Sequence, residues 1–119
     1  MKKSNFEVIQ SLKIVLRRVH RLAEGFRLEK EEALQSPGTE GLEDLRRRSR
    51  VHYRIRLADC SREVLRLQRR ISSDLPAREE AEDMAETCRR EVAELDAHLV
   101  SAPNRLIRAR GEEPREDLR

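Results

Sequence analysis

The stretch YRIRLADCSREVLRLQRRISSDLPAREEAEDMAETCRREVAEL, residues 53–95, decides the fold. Its first half carries Tyr53, Leu57, Cys60, Val64, Leu67 and Ile71 at steps of four and three. Its second half carries Ala77, Ala81, Ala85, Cys88, Val92 and Leu95 in a similar rhythm. Apolar residues so spaced share one face of an α-helix, and two such faces bury themselves by packing together. Ser73-Asp74-Leu75-Pro76 separates them; it ends one helix and caps the next, with Pro76 in the first turn, where a missing amide costs nothing.

Folding the two segments back about a turn near Asp74 sets Ile71 opposite Ala77, Leu67 opposite Ala81, Val64 opposite Ala85, Cys60 opposite Cys88, Leu57 opposite Val92 and Tyr53 opposite Leu95. One register satisfies both stripes, as knobs-into-holes packing requires. Charge agrees with the pairing. Residues 42–73 hold ten arginines against Glu43, Asp44, Asp59 and Glu63, whereas residues 74–100 hold nine acids against Arg78, Arg89 and Arg90. An antiparallel pair of opposite charge offsets each helix's self-repulsion, so the positive face is expected to be engaged inside the fold.

Upstream, Ser4-Asn5-Phe6-Glu7 reads as a capping box. From there Val8, Leu12, Val15, Val19, Leu22 and Phe26 continue in fours and threes, with Ile9, Leu16 and Ala23 widening the stripe. Gly25 inside this helix costs about 1 kcal/mol relative to Ala. Ser36-Pro37-Gly38-Thr39-Glu40-Gly41 then breaks the helix. The reading is all-α: an antiparallel three-helix bundle or coiled coil with helices over about 5–35, 42–72 and 75–101. Together these form one domain, 1–103. The last long helix stops near Ser101 ahead of Pro103, Asn104 to Arg110 adds a short extra helical turn closed by Gly111, and residues 112–119 form a flexible tail.

The middle helix carries a second apolar stripe, Val51, Ile55, Ala58 and Leu65, which is expected to face the first helix, with Phe26 meeting Val51 and Leu22 meeting Ile55. The two stripes lie roughly 160° apart at 100° per residue. Such a separation suggests a flat, incompletely closed trio. Ile9, Ile14, Leu16, Leu28 and Leu34 would then remain at the edges of the first helix, and they are the candidate partner-binding residues, covered most simply by a second copy in a two-fold dimer.

Composition limits the function classes. The chain has 119 residues, 41% of them charged and 3% aromatic, with a formal net charge of only +3. No secretory apolar region and no run long enough to cross a membrane is present, so the expected location is the cytoplasm, with Cys60 and Cys88 as reduced, packed thiols. Arg46, Arg47, Arg48, Arg50 and Arg54 are candidate phosphate contacts, and they carry the alternative reading of a nucleic-acid binder. That reading lacks interleaved aromatics and a DNA-reading motif. Glu79, Glu80, Glu82, Asp83 and Glu86 carry a second alternative, a divalent-metal hydrolase. Acids in a first turn are, however, ordinary helix-dipole chemistry. His20, His52 and His98 fall on different helices and read as surface residues. No catalytic residue, metal site, cofactor or small-molecule substrate is expected. The leading expectation is a non-enzymatic protein-interaction module, an adaptor, small regulator or inhibitor, or chaperone-like helical protein, acting on a protein partner or as a homodimer.

Overall fold

The computed structural model describes residues 4–112, and the expected tail beyond Glu112 lies outside them. Its elements are α1 (Phe6–Gln35), α2 (Glu40–Arg48), a π-helical turn (Ser49–Tyr53), α3 (Arg54–Arg69) and α4 (Arg78–Gly111). α2, the π turn and α3 run on without a break, so the architecture is three antiparallel helical arms. The all-α bundle expected from the heptads is what the chain forms.

The trio is closed. α1, α3 and α4 each pack on the other two, and the molecule is a rod 76 Å long and 17 Å across in both other directions. A flat arrangement is therefore excluded. Closure follows from the use of one stripe of the middle arm instead of two. Leu42, Leu45, Ser49, Tyr53, Leu57, Cys60, Val64 and Leu67 are buried, whereas Val51, Ile55, Ala58 and Leu65 are exposed. The second stripe thus faces away from α1. Phe26 meets Tyr53, edge to face with ring centroids 5.7 Å apart, in place of Val51.

The π turn makes that single stripe continuous. Between Leu45 and Leu57 the buried positions advance by three successive steps of four, which would carry the stripe about 120° around an ideal α-helix. A π turn closes i to i+5 hydrogen bonds and takes up one surplus residue, roughly 100° of rotation. The stripe is returned almost to its starting face. Gly25 makes room at this level: a Cβ on it would stand 3.1 Å from the Tyr53 hydroxyl oxygen.

Both ends of the rod are tied by side chains. At one end Asn5, 1% exposed, donates through Nδ2 to the carbonyls of Ser72 (2.9 Å), Pro76 (3.2 Å) and Leu75 (3.3 Å), and its Oδ1 accepts the Ser72 amide at 2.8 Å. The capping box does not form, because Asn5 occupies the N-cap and turns its side chain to the opposite loop; Ser4 Oγ accepts only the Phe6 amide. α4 starts at Arg78, after Ala77 in the left-handed conformation (φ 64°), so Pro76 lies in the turn and not in the helix.

At the other end α4 does not stop near Ser101. It passes through Pro103 to Gly111. A proline inside a helix costs about 3 kcal/mol or more, and the packing it permits offsets that. Ala102 and Pro103 are buried, Leu106 and Ile107 pack against the core, and Arg110 donates to the carbonyls of Leu34, Ser36 and Gly38. The C-terminal turns belong to the bundle and cover the α1–α2 loop.

Candidate protein-docking face

The candidates on α1 do not form a patch. Ile9 is 2% exposed and Leu16 packs against the core, so both are removed from any partner surface. Ile14, Leu28 and Leu34 are exposed, but Ile14 and Leu28, about 40° apart around the helix, stand roughly 21 Å apart along it, and Leu34 lies about 120° round from Leu28. Closure of the bundle leaves α1 with isolated apolar side chains, which are normal on a soluble surface.

The arginine run does not converge either. Arg48 reaches across to Glu29 of α1 at 2.6 Å, and Arg54 reaches the other way to Asp96 of α4 at 2.9 Å. Arg46 donates to Asn104 at 3.4 Å, and Arg47 pairs with Asp44 one turn back. Arg50 is exposed. A helix places consecutive residues 100° apart, so a run of arginines addresses every neighbour in turn and builds no common phosphate cradle.

Of the histidines His20 is a surface residue, whereas His52 and His98 are partly buried. His98 is half-buried with its ring edge-on to Phe26 at 5.4 Å, and Lys30 Nζ lies 3.3 Å from Nε2. Burial, then Lys30 and Arg105, hold its pKa below the usual histidine value. His52 packs on Tyr53, and burial with Arg56 and Arg48 lowers its pKa as well. His20 bonds Glu91 at 2.7 Å. Among the described residues no group of three or more His, Cys, Asp or Glu side chains is placed to hold a metal ion. Within the acidic start of α4, Glu82 pairs with Arg78 and Glu86 with Arg89.

Cys60 and Cys88 are both free and buried, and Cys60 is near enough to act on the Cys88 charge. Cys88 donates to the Leu12 carbonyl at 3.5 Å. Burial pushes the Cys60 thiol up and the Cys88 thiol to about 11, so neither is a nucleophile near neutral pH.

What remains is the outer face of the middle arm. Val51, Ile55 and Leu65 are 50%, 54% and 47% exposed, with the exposed Ala58 between them. These four fall within about 80° of one another around the helix and extend over roughly 21 Å. Two grooves flank the ridge and Ile55 lines both. One, of about 740 Å³, lies against α4 and is walled by Leu57, Ala58, Val64, Val92 and Ala93. The other, of about 660 Å³, lies against α1 and is walled by Arg18, Arg21, Leu22, Arg56 and Asp59.

Ion pairing does not use up this surface. Most pairs are within one helix, such as Arg62 with Asp59 and Arg66 with Glu63, or Arg27 with Glu24 and Glu31. Between the basic middle arm and acidic α4 the one ion pair among the described residues is Arg54 with Asp96. The cross-helix neutralisation expected from the charge balance is therefore limited to that contact. Sequence reasoning had these four residues but turned them inward. The signal against that was the angle between the two stripes, too wide for both to enter one closed bundle.

Among the described residues no helix is long and apolar enough to cross a membrane. No protein-family model, curated protein or solved structure matches the chain.

Proposed function

We propose that this chain is a non-enzymatic protein-interaction module of the cytoplasm, an adaptor, regulator or chaperone-like helical protein, whose docking face is the outer ridge of the middle arm. One observation carries the reading: a closed bundle still displays three large aliphatic side chains at helical spacing on one face. Exposed apolar residues that share a face between two grooves mark an interaction surface, whereas scattered ones do not. The buried free thiols fit a reducing compartment.

The test is co-purification with the tagged full chain from its native cells. A stoichiometric protein partner is expected with the wild type and is expected to be lost with Ile55→Glu or Leu65→Glu. Both positions are exposed, so the fold, checked by circular dichroism, is retained. A partner held equally by both variants contradicts the reading.

A further inference from the structure

We propose that the occupant of this face is an acidic amphipathic helix, its apolar stripe over Val51, Ile55, Ala58 and Leu65 and its carboxylates against Arg18, Arg21 and Arg56. The inference rests on the docking reading above and adds the chemistry of the partner.

The ridge sets the shape. A stripe about 21 Å long on a helix matches three to four turns of another helix laid along it, the geometry of helix-in-groove recognition. Ala58 in the middle of the ridge allows close approach of a second backbone.

Charge sets the sign. In the groove against α1, Arg18, Arg21 and Arg56 are exposed and engage in no ion pair among the described residues. The acid that lines this groove, Asp59, is taken by Arg62. His52, its pKa lowered, is neutral at pH 7 and offsets nothing. Three guanidinium groups thus border a ridge whose one charged position, Arg62 between Ala58 and Leu65, is paired with Asp59, and each of the three carries donors suited to a carboxylate. In the groove against α4 the cations already have partners: Arg54 has Asp96, Arg62 has Asp59, and Arg89 has Glu86 and Gln68. The acids of the partner are therefore required on the α1 side of its stripe.

A second copy answers these cations less well. A two-fold antiparallel contact centred on Ala58 brings Val51 over Leu65, but it sets Arg50, which has no ion pair among the described residues, opposite Arg66, and Arg54 opposite Arg62. Each side then meets a guanidinium group, most of them already paired within their own chain, where an acidic helix offers a carboxylate. Like charges across a helical interface destabilise it.

The experiment titrates the full chain against two synthetic helical peptides of about four heptads, one with leucine at the seam and glutamate beside it, the other with lysine in place of each glutamate. Fluorescence anisotropy reads binding, and sedimentation of the chain alone reads self-association. The glutamate peptide is expected to bind at least tenfold more tightly than its lysine twin. Ile55→Glu, and separately the triple change Arg18→Glu, Arg21→Glu and Arg56→Glu, are each expected to weaken it at least tenfold. Equal affinity for the two peptides, or no binding of either, overturns the proposal. So does a dimer that Ile55→Glu dissolves, or displacement of the peptide by duplex DNA at equal charge concentration. Should co-purification still depend on Ile55 while the glutamate peptide fails, the docking face stands and the acidic partner does not.

Discussion

The inner and outer stripes of the middle arm are made of the same kinds of side chain, yet one is the core of the molecule and the other is in water. Leu57 is 1% exposed and Ile55, two residues away, is 54% exposed. Hydrophobic periodicity finds both stripes with equal ease, because it measures amphipathicity and not partnership. The choice between them is made by closure. A round three-helix cross-section admits one seam per helix, and the π turn at Ser49–Tyr53 keeps that seam unbroken.

The contrast is sharpest in paired truncations. Leu57→Ala removes a fully buried side chain and is expected to cost about 2–5 kcal/mol in urea denaturation. Ile55→Ala is expected to change stability by no more than about 0.5 kcal/mol while weakening partner binding. Comparable losses at the two positions would mean that the ridge is part of the core.

Asn5→Ala breaks the clamp at the end of the rod from which α3 and α4 diverge. It removes the side-chain bonds to the Ser72 amide and to the Ser72, Leu75 and Pro76 carbonyls, of which Ser72 and Pro76 keep a backbone donor, and a loss of about 1–3 kcal/mol is expected. Hydrogen exchange should show faster opening around residues 70–77. Unchanged protection there would contradict the role given to Asn5.

The inner stripe also sets a pH window. The thiols of Cys60 and Cys88 are raised by burial, so the folded chain keeps their protons where the unfolded chain, near the ordinary value of 9.0, releases them. Stability therefore falls as pH rises above about 9. His98 and His52 are lowered, so the unfolded chain binds protons first and stability also falls as pH drops through and below 6.5. Thermal melts across this range should show a plateau between the two limits, and Cys60→Ala with Cys88→Ala should remove the alkaline limb.

The smallest expected effect is at the α3–α4 turn. Ala77 holds a left-handed φ of 64° without a glycine's freedom. Ala77→Gly is expected to raise stability by up to about 1 kcal/mol in the same urea titration.

The hairpin was legible because two independent heptads shared one register, and burial of both Cys60 and Cys88 follows from it. The bundle's closure was not, since Val51, Ile55, Ala58 and Leu65 are as periodic as the buried stripe, and giving both stripes a neighbour opens the trio. Pro103 was read by its usual penalty. The residues that outweigh that penalty, Leu106, Ile107 and Arg110, act through contacts far along the chain, with Arg110 reaching Leu34. Asn5 shows the same limit: the sequence points to Ser4 as the N-cap, and neither the cap position of Asn5 nor its partners at Ser72 and Pro76 is legible from local spacing. On the candidate site, the residues of the outer ridge were named correctly as a stripe and assigned to the wrong neighbour, and the arginine run was read as a face although a helix disperses it.

The middle arm holds one residue more than its heptads need, and the π turn absorbs it. Deleting exposed Arg50 restores alternating threes and fours from Leu42 to Leu67, whereas deleting exposed Arg17 from the uninterrupted helix α1 rotates half of its seam by about 100°. Thermal unfolding followed by circular dichroism compares the two. The Arg50 deletion is expected to keep a cooperative transition within a few degrees of the parent and the Arg17 deletion to lose it. An Arg50 deletion that unfolds the chain as thoroughly as the Arg17 deletion would contradict this role of the π turn.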